Sequence, residues 1–257
     1  MKRFAVAAVF CLAAPLSAQT DPAAIAGRMQ TAMGGDAFAS ARVLDFVWEV
    51  ERGGETVVSY AHTWDRWTGD YRVAGTDRES GKPWVAIFDI DTREGRVWLG
   101  DEEYPAEAVD EQLERAYGRF INDSYWLLMP WKWLDPGVSL TYAGTEVIGD
   151  RLCDVVELAF DGVGLTSNDR YRGYVDRESG RIARWSYVLQ NEEGQPGGGD
   201  PTSWDWVDWM EVDPGVWFAA SKARVGGDDP VAITNRRVEL LVDPSPEQLA
   251  RLFARER

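Results

Sequence analysis

Residues 117–142 constrain the fold most, because they separate two stretches of strand-like sequence. A charged helical pattern ends here in a short, apolar, tryptophan-rich run that Pro130 interrupts. The turn-forming residues 135–137 then lead into a strand pattern. We interpret this central segment, residues 117–142, as a helical insertion that plugs or covers a curved sheet.

The sequence on both sides of the central segment alternates with the period of half-buried β-strands. In residues 43–51, the apolar side chains share one face, which we expect to point inward, and the acidic side chains share the other, which we expect to point outward. The inward set is Leu44, Phe46, Trp48 and Val50. The outward set is Asp45, Glu49 and Glu51.

The remaining patterns predict an α+β, mainly β fold. Helix signals occur at 21–33, at 105–119 and after 245. Strand signals continue at 56–66, 71–73, 83–90, 96–99, 138–144, 152–160, 170–176, 182–190, 204–212, 216–225 and 231–242. We expect an open, strongly curved antiparallel sheet, a half-barrel of about ten strands whose concave face is covered by helices.

One turn sequence occurs twice. Residues 77–82 read DRESGK and residues 176–181 read DRESGR. An aspartate that opens a turn and a glycine that supplies a positive φ at its end are typical of hairpins. We therefore predict a hairpin turn at each copy.

The first 18 residues have the pattern of a secretory signal peptide. Lys2 and Arg3 precede an apolar run that is shorter than the about 20 residues needed to span a bilayer, and Ala18 supplies a small residue for cleavage. Cys11 lacks the small residue that a lipid-attachment motif places before its cysteine. We expect residues 19–257 to form one domain that is exported to the periplasm, soluble and without a lipid anchor.

Charge and cysteine content exclude several classes of function. Loss of Lys2 and Arg3 with the leader takes the formal net charge from −16 to −18, which disfavours nucleic acid and anionic membranes. Cys153 is then the only cysteine and His62 the only histidine, too few for a zinc cluster or for a convincing thiol–histidine pair. We expect no cofactor, no metal and no membrane span, and we interpret His62 as structural.

Several short runs resemble the bacterial lipoprotein-carrier superfamily with the LolA/LolB-like fold, and most closely a periplasmic branch of it. They are MGG at 33–35, WDRWTGDYRV at 64–73, FINDSYWLLMP at 120–130, DPGV at 135–138 and YVD at 174–176. The resemblance implies a half-open barrel whose apolar concave face is covered by helices. In characterised relatives that cavity takes lipoprotein acyl chains or serves as a sensor surface. The missing lipid-attachment motif differs from the membrane-anchored acceptors.

Thirteen tryptophans are more than a core of this size needs, and tryptophan usually seeks a partner for its indole N–H. We therefore expect an aromatic cavity for a hydrophobic ligand or a lipoprotein. The candidate lining residues are Trp48, Tyr60, Trp64, Trp84, Tyr125, Trp126, Trp131 and Trp133.

Three functions follow from these observations. The first is a non-enzymatic, monomeric exported protein that holds a hydrophobic or amphipathic ligand, such as a lipid or an acyl chain. The second is a periplasmic interaction or sensor module with a filled core. The third is a carbohydrate-active enzyme that uses tryptophan platforms and carboxylate pairs such as Asp205 with Asp208 or Asp89 with Asp91. No catalytic residues are assigned, because no nucleophile or nucleotide-binding motif occurs.

Overall fold

The strand patterns form one large antiparallel sheet. The computed structural model describes residues 20–160, 169–191, 194, 195 and 197–257, and these form fourteen strands and five helical segments. The helices are α1 Pro22–Ala32, α2 Gly35–Ser40, α3 Val109–Leu128 and α4 Pro246–Leu252, with a 3₁₀ helix at Met129–Lys132. The strands are β1 Val43–Arg52, β2 Glu55–Asp65, β3 Asp70–Thr76, β4 Pro83–Asp89, β5 Gly95–Leu99, β6 Glu102–Glu103, β7 Val138–Ile148, β8 Arg151–Phe160, β9 Arg170–Asp176, β10 Ile182–Val188, β11 Thr202–Asp213, β12 Val216–Arg224, β13 Val231–Thr234 and β14 Val238–Leu241.

The strand order places the two halves of the chain side by side. It runs β6-β5-β4-β3-β2-β1-β13-β12-β11-β10-β9-β8-β7, and β14 also pairs with β1. The strands β6 and β7 lie at opposite edges, so the sheet is curved but not closed. The predicted mainly β, open antiparallel fold is confirmed. The strand number is fourteen rather than about ten, partly because residues 231–242 form two strands.

The break between β13 and β14 follows from a side chain that takes over backbone hydrogen bonding. Asn235 Nδ2 donates to the carbonyl of Val47 at 3.0 Å, at the point of β1 that neither strand covers. The amide of Val47 donates to the carbonyl of Arg237. β13 and β14 therefore pair with successive parts of β1, and the prediction of one strand over 231–242 was wrong.

The central helix is longer than its sequence pattern indicated. α3 begins at Val109, four residues after the predicted start, and extends nine residues beyond the predicted end at 119. The amide of Met129 donates to the carbonyl of Tyr125, and Pro130, which has no N–H, follows directly. Proline therefore ends the hydrogen-bond ladder only after Leu128. The apolar run 125–128, which lies beyond the predicted helix end at 119, is therefore helical.

Two apolar clusters fill the inner face of the sheet, which we define as the face that packs against α3. In the first cluster, Leu113 and Ala116 of α3 pack on β1 to β5. In the second, Ile25 and Met29 of α1 pack near Trp133 and strands β8 to β12. A Cβ on Gly173 of β9 would lie 2.0 Å from the Trp133 ring, so this glycine permits the ring to approach the strand closely.

The outer face of β1 to β3 is covered by the end of the chain. Arg72 donates to the carbonyls of Ala254 and Arg255, and Arg257 donates to Thr63 and Asp45. Asp45 is consequently fully buried. The alternation of β1 placed Asp45 on the outer face, as expected, and its side chain is buried there because the C-terminal residues cross over it.

Both copies of the repeated turn form hairpins, as predicted. In the first copy, the Asp77 carboxylate accepts from the amide of Ser80, and Gly81 has a φ of 70°. In the second, the Asp176 carboxylate accepts from the amide of Ser179, and Gly180 has a φ of 72°. The second copy differs by its neighbour, since a Cβ on Gly180 would lie 2.9 Å from Ala32 of α1.

Candidate functional site

One flank of α3 lies beside an open groove. Arg115, Gly118, Arg119 and Asn122 recur at helical spacing along this flank, whereas Leu113 and Ala116 point into the core. The opposite wall is formed by the ends of β1 and β2 and by the turn after β3. We call this space, about 1070 Å³ in volume, the α3 groove; its lining is Trp48, Val50, Arg52, Val57, Val58, Tyr60, Arg78, Arg115, Gly118, Arg119 and Asn122.

The wall formed by the sheet is apolar. Trp48 faces Tyr60 across the β1–β2 pair, and Val50 faces Val58. Trp48 and Tyr60 are each 5% exposed, so their rings close the bottom of the groove. Two of the eight predicted cavity residues, Trp48 and Tyr60, thus line the groove.

The other predicted residues of the first strands lie behind the groove. Trp84 is fully buried and donates its indole N–H to Gln112 of α3 at 3.1 Å. Trp64 is half-buried, and its ring lies edge-on to Phe120, 5.2 Å between centroids. Neither tryptophan belongs to the lining of the α3 groove.

The predicted residues of the central segment pack further along the inner face. Trp126 lies 5.0 Å from Trp204 between ring centroids. Trp131 lies between Phe38 and Phe218, at 4.4 and 4.9 Å. Trp133 is 1% exposed, and Tyr125 packs in the same cluster. The central segment therefore fills this part of the inner face with side chains.

Several indole groups of the inner face have no hydrogen-bond acceptor among the described residues. Their Nε1 atoms belong to Trp48, Trp64, Trp131 and Trp206. Trp48 is the one of these four that lines the α3 groove. A buried donor without an acceptor is costly, so the Trp48 indole is an energetically unfavourable feature of the groove floor.

His62 lies in a buried polar network rather than in the groove. The Tyr71 hydroxyl is 2.8 Å from Nδ1, and Nε2 is 3.2 Å from a carboxylate oxygen of Asp123 on α3. All three side chains are fully buried. Burial lowers the pKa of His62, although Asp123 opposes the shift. The network joins α3 to the sheet, and the structural interpretation of His62 agrees with this placement.

The carboxylate pairs considered for glycoside chemistry have structural partners. Asp205 accepts two hydrogen bonds from Arg184, and Asp89 accepts from the amides of its own turn at Asp91 and Thr92. Cys153 is fully buried, and burial raises the pKa of its thiol to about 11. Within the described residues, no three His, Cys, Asp or Glu side chains are grouped as metal ligands would be.

A second, smaller depression lies over β7 to β10, with a volume of about 650 Å³. Arg172 there pairs with Glu157 at 2.5 Å. Arg184, also in its lining, is bonded to Asp205. Because these charges are already paired and the floor is an open sheet face, we consider the α3 groove the better candidate site.

Sequence reasoning missed the basic side of the α3 groove. Four arginines line it, and its lining contains no aspartate or glutamate. The detectable signal was the spacing of Arg115 and Arg119, which stand four residues apart on one helix. The positions of Arg52 and Arg78 in separate hairpins gave no such signal, because only the sheet topology brings them together.

Comparison with known proteins gives the fold. No protein-family model matches the sequence, and no curated protein matches it. A solved DUF1329 family protein from Desulfovibrio piger is similar at 14% identity and a TM-score of 0.51, over 92% of this chain and 98% of that one. A LolA superfamily protein from Nitrosomonas europaea is similar at 9% identity and a TM-score of 0.52, over 92% and 99%. The chain therefore has a LolA-like fold, as the sequence motifs implied.

Proposed function

We propose that this chain is a non-enzymatic protein that binds a hydrophobic or amphipathic ligand, such as a lipid or a lipoprotein acyl chain, in the α3 groove. The observation that carries the proposal is a groove of about 1070 Å³ with an aromatic floor. This volume is slightly above the usual range for small-molecule sites, about 300–1,000 Å³, and such sites combine apolar walls with a few polar groups.

The packing of the inner face limits how the ligand enters. The side chains of Trp131 and Trp133 occupy the far part of that face. A ligand therefore lies along α3, over Trp48 and Tyr60. This packed region also supports the second candidate, a sensor module with a filled core, in which the groove would remain empty of lipid.

A single glycine makes the proposal testable. A Cβ on Gly118 meets no other atom within 4 Å, because the residue faces open space in the groove. Gly118→Leu should place a large side chain in that space without removing any contact. We expect affinity for 1-monomyristoylglycerol, an uncharged amphiphile, to fall about tenfold or more, which corresponds to about 1.4 kcal/mol. Calorimetric titration of the purified protein measures this.

Gly27→Leu is the matched control. Gly27 also lies within a helix, and a Cβ added there would also meet no atom within 4 Å, but it belongs to α1, away from the groove. This variant should bind as the parent does. Equal affinity of both variants, or no binding by the parent, would contradict a lipid site here and favour the module with a filled core.

The site is also proposed to act outside the cytoplasm. Residues 1–18 have the signal-peptide pattern and lie outside the described residues. None of the described helices combines the length and apolar character needed to cross a bilayer. We expect the protein from a periplasmic extract to begin at Gln19, to be monomeric and to carry no acyl group. N-terminal sequencing that finds Met1, or a lipid on Cys11, would contradict export by this route.

A further inference from the structure

The α3 groove is positively charged in a strongly acidic protein. The chain has a formal net charge of −16, yet Arg52, Arg78, Arg115 and Arg119 line the groove without any carboxylate beside them in the lining. A random surface of this composition would place more acidic than basic groups around such a space. The arrangement gathers basic side chains around one space that has an aromatic floor.

Two of these arginines have no acidic partner among the described residues. Arg52 and Arg78 are exposed, and neither forms an ion pair within that part of the chain. Arg115 pairs with Asp77 at 2.9 Å, and Arg119 has a carboxylate oxygen of Asp123 at 3.6 Å. At least two of the four positive charges are therefore available to a ligand.

The two helix arginines are held by aromatic rings. The guanidinium carbon of Arg119 lies 4.8 Å from the centre of the Tyr60 ring and 5.7 Å from that of Trp48. The guanidinium carbon of Arg115 lies 4.6 Å from the centre of the Trp84 ring. Cation–π contacts of this kind hold a guanidinium beside a ring and leave the N–H groups that are not bonded to Asp77 for an anion.

The floor of the groove is closed by a nearly buried tryptophan, and an uncharged amide lies across from it. Trp48 is 5% exposed, and its buried indole Nε1 has no acceptor among the described residues. Asn122 contributes an amide on the opposite wall. An oxygen atom that enters the groove thus meets guanidinium groups and the Asn122 amide beside the side chains of Val50 and Val58.

We infer that the ligand of the α3 groove is an anionic amphiphile, with a carboxylate or phosphate head at the arginines and its hydrocarbon chain over the Trp48 and Tyr60 rings. This inference rests on the proposed function and names its ligand class. Bidentate hydrogen bonds from arginine match the planar geometry of a carboxylate and the oxygens of a phosphate. The apolar floor explains why a chain must be attached to the anion.

The test compares amphiphiles that share one chain length. Myristate and 1-myristoyl lysophosphatidate carry a charge, whereas 1-monomyristoylglycerol does not. We expect the charged pair to bind the parent protein about tenfold more tightly at low salt, and this advantage to shrink at about 0.5 M salt, where the Debye length is only a few ångströms. Arg52→Gln combined with Arg78→Gln should weaken the charged ligands about tenfold and change the neutral one by less than about twofold.

Arg96→Gln is the matched control, because Arg96 is exposed and pairs with Glu103 at the sheet edge, away from the groove. It should leave all affinities unchanged. Thermal melts would verify that the double variant folds, as expected for two exposed side chains. Inorganic phosphate alone should bind at least about a hundredfold more weakly than lysophosphatidate, because it lacks the chain.

Three results would overturn the inference. They are equal affinity for charged and neutral amphiphiles, an unchanged affinity in the Arg52→Gln/Arg78→Gln variant, and phosphate binding as tight as that of lysophosphatidate. The first two leave the proposed function intact if monomyristoylglycerol still binds and Gly118→Leu still blocks it. Loss of that neutral binding site would instead reject the proposed function itself.

Discussion

Lys222 is a buried cation without a carboxylate partner among the described residues. Its Nζ donates to the carbonyl of Ala219 at 2.8 Å and to Oδ1 of Asn235 at 2.7 Å, and it lies 5.0 Å from the centre of the Trp206 ring. Burial lowers the pKa of Lys222 to about 7, against 10.5 for an unburied lysine. The ammonium form is thus less stable in the folded state than in the unfolded chain.

This pKa shift predicts that removing the Lys222 amine stabilises the folded protein, by an amount that depends on pH. As the pH falls from 10.5 to 7, Lys222 becomes protonated in the unfolded chain but stays largely neutral in the folded one. The free energy of unfolding therefore decreases over this range, and the full loss is reached below pH 7. Lys222→Met should therefore raise the free energy of unfolding at about pH 6 by up to about 5 kcal/mol, less the two lost hydrogen bonds. The gain should be much smaller near pH 10.5, the unfolded value.

Urea unfolding at both pH values measures this effect. Lys82→Met provides the control, because Lys82 is exposed and its replacement should change stability by less than about 0.5 kcal/mol at either pH. A destabilised Lys222→Met variant, or a gain that does not depend on pH, would show that the burial penalty of Lys222 is compensated elsewhere.

At the scale of single residues, the sequence predicted the face of the strand on which a side chain lies, but it did not predict whether that side chain is buried. The alternation of β1 correctly placed Leu44, Phe46 and Trp48 inside. It gave the correct face for Asp45 but not its burial, since the arginine that covers it is 212 positions away in the chain. Alternation reports which face a side chain occupies, and only tertiary contacts decide whether that face is covered.

The two copies of the repeated turn allow the docking of α1 to be measured. Gly81 and Gly180 have φ values of 70° and 72°, but a Cβ on Gly81 has open space and one on Gly180 would lie 2.9 Å from Ala32. Gly81→Ala should cost about 1–2 kcal/mol from the left-handed conformation alone. Gly180→Ala should cost a further 1–3 kcal/mol or so, because α1 must shift. Chemical denaturation of both variants gives the difference, and equal costs would mean that α1 is loosely held.

At the scale of elements, the sequence predicted features that depend on neighbouring residues, but it did not predict those that depend on contacts between distant elements. The hairpin turns and the strands around them depend on neighbouring residues, so their sequences predict them. The extent of α3 was underestimated because residues 125–128 obtain their helical stability from packing on the inner face, not from an amphipathic pattern of their own. The α3 groove required the positions of β1, β2 and α3 together.

At the scale of the whole molecule, the C-terminal residues fasten three strands on the outer face. Arg257 bonds to Asp45 of β1 and to Thr63 of β2, while Arg72 of β3 donates to the carbonyl of Ala254. Among the described side chains, Asp45 retains only Arg237, at 3.4 Å, if Arg257 is removed. Arg257→Ala should therefore lower the free energy of unfolding by about 2–3 kcal/mol, since a buried carboxylate loses its main partner.

Arg236→Ala is the control for this prediction. Arg236 also pairs with an acidic residue of β1, Glu51, but its side chain is 56% exposed, so the loss should stay below about 1 kcal/mol. A double-mutant cycle with Asp45→Asn would isolate the Asp45–Arg257 coupling. Additive effects of the two substitutions would indicate that the C-terminal residues do not fasten the strands through this pair.

The position of β1 also determines the order in which the sheet can assemble. β1 pairs with β2, which follows it directly, and with β13 and β14, which lie near the other end of the chain. During synthesis, one long edge of β1 stays unpaired until β13 and β14, more than 170 residues later, have been made. Closing so long a loop is slow, and an unpaired apolar edge invites association with other chains. Refolding from urea should accordingly be slow and sensitive to protein concentration, because β1 stays open to other chains until β13 and β14 pair with it.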